Sequence, residues 1–231
     1  MRCAVVLLVV ALPAAAQRPL TAFQRDKAAT IVREQLPCLG CHELNGEGGR
    51  TAPSLTTVGE RRDAAYIRAM IEDPQRVVPG AAMPKTPMPA PVRELVIRYV
   101  SANAVTLPPS TKPPSPPARV ARQATAAENY ARFCASCHGV SGQGSGPNAK
   151  YLPAKPAIHS SAARMSARSD DALFDAISGG GLVMGRSARM PAFGATLSPS
   201  EIRALVGYIR TLCACKGPAW SVDPVPRATR P

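Results

Sequence analysis

Apolar residues recur at helical spacing in six segments of the chain. Between Thr21 and Leu36, for example, Ile31, Val32 and Leu36 fall on one face of a helix, with Thr21 as its candidate N-cap. The last segment begins with Ser198 and Pro199, a pair typical of an N-cap followed by proline at the first helical position. The predicted helices cover residues 21–36, 63–72, 91–102, 125–133, 169–177 and 198–212.

The six segments form two sets of three with the same features between them. Each set has the order helix, cysteine motif, glycine-containing loop, helix, Met-Pro loop and helix. Between the sets, residues 106–118 contain six prolines, which predict a semi-rigid polyproline spacer between independent modules. The predicted organisation is a first domain at residues 18–105, a Pro-rich linker at 106–122, a second domain at 123–215 and a Pro-rich tail at 216–231.

The first sixteen residues have the pattern of a secretory signal peptide. A basic residue is followed by an apolar run from Cys3 to Leu12 and by small residues up to Ala16. The alternative, an uncleaved membrane anchor, requires about 18–20 apolar residues, and this run is shorter. We therefore predict cleavage after Ala16 and a periplasmic protein that is soluble after cleavage.

The formal net charge of +13 is distributed unevenly. Residues 18–105 hold 12 basic and 9 acidic side chains, a net charge of +3, whereas residues 106–231 hold 15 and 6, a net charge of +9. No basic run is interleaved with aromatic residues, and export disfavours nucleic acid as a partner. We predict redox protein partners with an acidic docking surface, the alternative being a merely solvated basic surface. The candidate docking charges of the second domain are Lys150, Lys155, Arg186 and Arg189.

Two copies of one motif carry the chemistry. The chain reads CLGCH from Cys38 to His42 and CASCH from Cys134 to His138. C-x-x-C-H is the attachment site of a c-type haem, in which the two thiols form thioethers with the haem vinyl groups and the imidazole is the proximal ligand. Zinc binding and a redox-active dithiol are the alternatives, but a histidine directly after both pairs favours haem. The predicted ligands of two covalently attached haem c groups are Cys38, Cys41 and His42, and Cys134, Cys137 and His138.

The motifs, the Met-Pro loops and a last helix that carries a tyrosine resemble class I cytochrome c domains. The resemblance covers residues 20–105 and 123–212, and the whole chain is similar to exported dihaem cytochromes c. It implies an all-α fold with two such domains in tandem, each wrapped round one haem, in which the first and last helices of each domain cross. In the second domain, Ala126 and Tyr130 stand at the crossing, and Tyr208 lies opposite.

The first domain departs from this pattern because Thr30 and Glu34 stand where the family has a small and an aromatic residue. We therefore predict that its first helix packs in a shifted register, with Ile31 and Val32 taking over the contact.

The resemblance also implies a methionine followed by proline as second axial ligand. In the second domain this favours Met190 over Met184, which we expect to pack in the core. The first domain offers both Met83 and Met88. Aligning the last helices on their tyrosines places Met88 at an apolar packing position, so Met83 is predicted and Met88 stays the alternative.

Several supporting residues are predicted less sharply. In the family, a proline carbonyl orients the proximal histidine; Pro53 fits His42, and either Pro156 or Pro147 fits His138. His159 is expected to be a solvated loop residue, the alternative being a sixth ligand. Two cysteines, Cys213 and Cys215, follow the last predicted helix. They could form a disulfide with each other, pair between chains or ligate a metal, and the sequence does not distinguish these alternatives.

The function that follows is electron transfer rather than catalysis. Two haems with histidine and methionine ligands would relay single electrons and need no acid, base or nucleophile. The alternatives are a haem enzyme, such as a dihaem peroxidase or a sulfur-compound dehydrogenase, and a tightly bound cytochrome subunit of a larger oxidoreductase. Association with a membrane or with a dehydrogenase complex is compatible with either.

Overall fold

A computed structural model describes residues 19–102 and 124–221 of the chain. The predicted signal peptide, the Pro-rich linker and the tail beyond residue 221 lie outside these ranges. The described residues are mostly helical, which confirms the all-α prediction. No helix within these two ranges is long and apolar enough to cross a membrane. We refer to residues 19–102 as the first domain and to residues 124–221 as the second.

Each domain contains its predicted helices together with short additional turns. The helices of the first domain are α1 (Ala22–Thr30), α2 (Ala64–Glu72), α3 (Pro74–Val77) and α4 (Ala90–Val100), with 3-10 turns at Pro37–Gly40 and Val58–Glu60. Its two strands, β1 (Glu43–Leu44) and β2 (Glu47–Gly48), pair antiparallel with Glu43 opposite Gly48. The helices of the second domain are α5 (Ala126–Phe133), α6 (Ala135–His138), α7 (Ala162–Met165), α8 (Asp170–Val183) and α9 (Pro199–Cys213), with 3-10 turns at Ala149–Tyr151 and Ala219–Ser221.

Capping residues fix where the helices begin. Thr21, Thr125 and Ser198 each accept the backbone N–H three residues on, and the side chain of that residue returns to the cap's own N–H. This reciprocal arrangement satisfies two backbone donors that a helix start otherwise leaves without partners. The predicted caps Thr21 and Ser198 are confirmed.

A π turn explains the shifted register of the first domain. α1 continues through Ile31–Gln35 as a π-helix, which inserts extra backbone into one turn and rotates the residues around it. Ile31 and Val32 are buried as a result, whereas Thr30 and Glu34 are exposed. The predicted replacement by Ile31 and Val32 is therefore confirmed.

The helix predicted to end at Ile177 is longer than expected. α8 continues to Val183 across a kink at Gly180, where φ is 76° and ψ is −179°. A side chain at Gly180 would place its Cβ 2.7 Å from the backbone nitrogen of Ala192. Glycine therefore permits both the left-handed φ and the close packing of α8 against the loop that contains Met190.

Each domain has its own apolar core, and its first and last helices pack together. α1 contacts α4 in the first domain, and α5 contacts α9 in the second. The rings of Tyr130 and Tyr208 lie 5.2 Å apart between centroids, as the predicted crossing requires. The buried core of the first domain includes Ile31, Val32, Leu36, Leu39, Ile67, Val96 and Val100. That of the second includes Tyr130, Met165, Leu173, Ile177, Phe193, Ile202, Leu205 and Ile209.

The two domains also contact each other, so the prediction of independent modules is wrong. The side chain of Asn148 donates a hydrogen bond to the carbonyl of Gly40 at 3.0 Å. A second contact joins the backbone N–H of Lys85 to the hydroxyl of Thr196 at 2.9 Å. A proline-rich linker indicates that two domains are connected by a spacer. Whether the domains dock depends on the complementarity of their surfaces.

Candidate functional site

The first motif is a tight turn that presents an oriented imidazole. The backbone N–H of His42 donates to the carbonyl of Cys38 at 2.9 Å, which closes the turn between the two cysteines and the histidine. The Nδ1 of His42 lies 2.7 Å from the carbonyl oxygen of Pro53, so this nitrogen carries the proton and donates it. The predicted acceptor is confirmed. Nε2 is left as the nitrogen available to a metal.

The second motif repeats this geometry with a different acceptor. His138 closes the same turn onto Cys134 at 2.9 Å, and its Nδ1 donates to the carbonyl of Ala157 at 2.9 Å. The predicted acceptors Pro156 and Pro147 are wrong, because the longer loop folds so that the carbonyl one residue after Pro156 reaches the ring. Burial lowers the pKa of both His42 and His138, which keeps the imidazoles neutral, as a metal ligand must be.

The cysteines have the properties of protected thiols rather than of a redox dithiol. Burial raises the pKa of Cys38 and Cys41 to about 11 and that of Cys134 to about 12. Reactive C-x-x-C pairs instead have a lowered thiol pKa. Within the two described ranges, no group of three or more His, Cys, Asp or Glu side chains could hold a metal ion. Two thiols followed by a neutral, oriented imidazole fit covalently attached haem.

In the first domain the two candidate methionines have different surroundings. Met88 packs against the apolar core formed around Ile31 and Val96. Met83 is half-buried and is not part of that core, while Pro84 directly after it is buried. Core packing occupies Met88, and this difference favours Met83 as the ligand.

The second domain distinguishes its two methionines by exposure. Met184 is 38% exposed, so the expectation that it packs in the core is wrong. It follows α8 beyond the Gly180 kink, which carries the end of this helix out towards solvent. Met190 is half-buried, and its carbonyl accepts the N–H of Gly181 at 3.0 Å. The Met190 loop is thereby held against α8.

The surroundings of His159 differ from those predicted from the sequence. It is 8% exposed rather than solvated, and its ring stacks on that of His138 at a centroid distance of 4.1 Å and an angle of 12°. Its Nδ1 lies 3.0 Å from the hydroxyl of Tyr130. Burial, reinforced by His138 and Arg168, lowers the pKa of His159 to about 3. Stacked on the proximal ring, His159 cannot also lie across an iron from it.

The position of His159 follows from a turn that the sequence does not reveal. The carbonyl of Ala157 is directed at His138, and the chain then continues behind the same ring. In the sequence, the position of His159 could be inferred only from its place two residues after Ala157. That inference requires knowing beforehand that the Ala157 carbonyl accepts the hydrogen bond of His138.

Arg189 is also placed differently from its prediction as a docking charge. Its side chain is 9% exposed and lies 3.5 Å from the carboxylate of Glu47 in the first domain. Its Nη1 is buried and has no hydrogen-bond partner within the described residues. Arg189 is therefore part of the contact between the domains, whereas Lys150, Lys155 and Arg186 are exposed as expected.

The two cysteines at the end of α9 form a disulfide within the chain. Cys213 and Cys215 are joined, and Cys213 is buried in the core of the second domain. Of the alternatives that the sequence left open, the structure has the disulfide.

Comparisons with known proteins match both halves of the chain. Residues 26–102 match the family model described as cytochrome c, and residues 121–209 match the model described as cytochrome c oxidase, cbb3-type, subunit III. The chain is 34% identical over 83 residues to cytochrome c oxidase subunit 2 of Alkalihalophilus pseudofirmus. That match covers 32% of this chain and only 24% of the relative's length. No solved structure matches the chain.

Proposed function

We propose that this chain, which consists of two cytochrome c domains in tandem, relays single electrons between redox partners through two haems with histidine and methionine ligands. Cytochrome c domains carry covalently attached haem c and transfer electrons. When bound, haem supplies an iron that alternates between the ferrous and ferric states. The count of two and the identity of all four axial ligands belong to the proposal.

The observation that carries the proposal is the matched geometry of the two proximal histidines. His42 and His138 each donate Nδ1–H to a backbone carbonyl, at 2.7 and 2.9 Å respectively. Such a hydrogen bond fixes the ring orientation and the tautomer, and it makes Nε2 a better donor to a metal. Each ring directly follows two half-buried thiols that can anchor the same porphyrin.

Met83 and Met190 are the residues proposed to complete the two sites. A thioether ligand favours the reduced iron, and its occupancy closes the sixth position to substrates. An electron carrier needs this closure, whereas a peroxidase needs a position that opens. The packing of Met88 in the core and the exposure of Met184 both support this assignment. We therefore place the chain among carriers rather than enzymes.

The proposed setting is periplasmic, with an oxidase complex as one candidate partner. The family model matched by the second domain and the matched relative are both described as oxidase subunits. These names support a role beside or within an oxidase, as a carrier with an acidic docking partner or as a bound subunit. A dehydrogenase would then be the electron donor.

A redox titration of the purified holoprotein, with optical spectra and an intact mass, tests the proposal. We expect the mass of the cleaved chain plus two haems, and two one-electron steps with spectra typical of methionine ligation. We also expect no carbon monoxide binding to the reduced protein, because both sixth positions are occupied. A single haem, or carbon monoxide binding by the unmodified protein, would contradict the proposal and favour an enzyme.

A further inference from the structure

The segments that make up the two proposed haem sites are also the segments that join the domains. Gly40 lies between the cysteines of the first motif, and Arg189 directly precedes Met190. A Cβ added to Gly40 would lie 2.2 Å from the backbone oxygen of Arg189. Only glycine lets the attachment turn of one domain approach the methionine loop of the other so closely.

Asn148 is the central residue of this contact. Its side chain is completely buried, at 0% exposure, in the loop that follows the second motif. Its Nδ2 donates to the carbonyl of Gly40 at 3.0 Å and to the hydroxyl of Thr51 at 2.6 Å. Its Oδ1 accepts the backbone N–H of Arg50 at 2.9 Å. All three partners belong to the first domain.

A buried amide is costly unless its hydrogen bonds are made. Asn148 forms its three hydrogen bonds only when the domains are docked in one register. It therefore stabilises one specific arrangement of the two domains. Gly49 also lies against this side chain, because a Cβ there would be 2.6 Å from the carbonyl oxygen of Gly40 and 2.8 Å from Asn148 Nδ2. The arrangement is therefore a built interface rather than an incidental contact between two surfaces.

The docked register brings the attachment chemistry of the two domains together. The sulfur of Cys137, in the second motif, lies 3.9 Å from the carbonyl oxygen of Gly40, inside the first motif. The thioether-forming edges of the two sites therefore face each other.

We propose that Asn148 holds the two attachment turns in contact and that this contact is the electron path between the domains. The inference rests on the proposed function, because it requires both sites to carry haem. With haem bound in both domains, one electron would leave one domain and be gained by the other, so the transfer balances. No proton or co-reactant is required. Asn148 is a positioning residue, since it acts through the turns that it joins.

The test uses half-reduced holoprotein and the variant Asn148→Ala. NMR exchange spectroscopy of the haem methyl signals measures the rate of electron exchange within one molecule, which dilution leaves unchanged. Asn148→Ala leaves the buried partners of these hydrogen bonds unpaired, which shifts the docking equilibrium towards separated domains. The docked population falls accordingly, and we expect the internal exchange rate to fall by about tenfold. Optical spectra of both haems should stay native.

A second reporter lies away from the substituted residue. The backbone N–H of Lys85 is protected by Thr196 across the interface and does not touch Asn148. In Asn148→Ala, its hydrogen exchange should accelerate by about tenfold, because the domains separate more often. The matched control is Asn129→Ala. Asn129 is equally buried, at 2% exposure, but it lies in α5 within the second domain, so neither reporter should change.

A wedge variant keeps the inference testable if Asn148→Ala folds poorly. Gly40→Ala inserts a methyl group between the turns and should slow internal exchange and accelerate Lys85 amide exchange together. Normal values of both in Asn148→Ala and Gly40→Ala would overturn the inference while leaving the relay function intact. A wild-type holoprotein with two haems and no internal exchange would instead contradict the relay function itself.

Discussion

The two domains present the same attachment motif but support the proximal histidine in different ways. In the first domain, the acceptor Pro53 comes 11 residues after His42, and aliphatic residues fill the helix crossing. In the second, the acceptor Ala157 comes 19 residues after His138, His159 stacks on the ring, and the hydroxyl of Tyr130 lies within hydrogen-bond distance of His159. The ligand geometry is therefore shared, while the packing that produces it is not.

The longer loop of the second domain has a second consequence. Gly144 donates its N–H to the carbonyl of His138 at 2.7 Å, and Asn148 donates its own to Ser136 at 2.9 Å, so the extra residues fold back over the motif. This fold carries the Asn148 side chain to the surface that meets the first domain. The first domain, with the shorter loop, contributes the glycines that receive it. The asymmetry between the domains thus makes their contact possible.

The largest effect on the two domains is expected when the proposed methionine ligands are removed one at a time. Met83→Ala and Met190→Ala should each open one haem, which then binds carbon monoxide when reduced. The midpoint potential of that haem should fall by on the order of a hundred millivolts or more, because axial ligation sets haem potential over a wide range. Optical redox titration of each variant measures both effects.

Met88→Ala is the control within the first domain. It removes core contacts and should lower the free energy of unfolding by about 2–4 kcal/mol, yet leave both haems six-coordinate. A native Met83→Ala spectrum together with a changed Met88→Ala spectrum would reverse the assignment in the first domain.

A smaller effect is expected from the aromatic support that only the second domain has. His159→Ala removes the stacking on His138 and the hydrogen bond from Tyr130 together. We expect the second domain to lose about 2–4 kcal/mol of unfolding free energy, and the haem of that domain to show a changed ligand-field spectrum. Denaturant titration and electron paramagnetic resonance of the ferric protein measure these two quantities.

Two conservative variants separate stacking from hydrogen bonding. Tyr130→Phe and His159→Phe both keep a ring and lose the hydrogen bond, and each should cost about 1–2 kcal/mol. Both should preserve the spectrum if stacking orients His138. A native spectrum in His159→Ala would show that His159 only fills space.

These contrasts also show which features of the fold and the site could be predicted from the sequence. The motifs, the capping boxes and the shifted register around Ile31 depend on neighbours within a few residues, so they could be predicted locally. The surroundings of His159 and Arg189 depend on which carbonyl a long loop presents and on how two domains dock. Those outcomes arise from contacts across dozens of residues, and a linker rich in proline gave no sign of them.

The same reasoning applies to the methionines. Met83 and Met88 are both followed by proline, so local pattern could not separate them, and the alignment of the last helices was needed. Met184 was expected to pack in the core because Met190, which is followed by proline, was the better candidate for the ligand. The glycines at the kink are compatible with a helix end, but α8 continues past them to Val183, where the Met190 loop packs closely against it.

The smallest expected effect concerns charge, since the second domain has a net charge of +5 (10 basic and 5 acidic side chains) and the first has +2 (11 and 9). Lys150, Lys155 and Arg186 are exposed. Arg189 is buried against Glu47, so it is no longer a candidate docking charge. Exposed charges of one sign steer an acidic partner and raise the association rate more than the final affinity. We therefore predict that an acidic redox partner docks on the second domain.

Reversing these three charges to glutamate should slow second-order electron transfer to an acidic partner by about tenfold at low salt. Stopped-flow mixing at increasing ionic strength measures the effect, which should fade near 0.15 M salt, where the Debye length is about 8 Å. The control reverses Arg61 and Arg62, which are exposed in the first domain, and should change the rate less per charge. A rate that is indifferent to salt, or more sensitive to the first-domain pair, would refute docking on the second domain. Because the internal step is unimolecular and does not depend on the partner, the exchange rate within half-reduced protein should stay the same in both reversed variants, which separates steering from any damage to the relay.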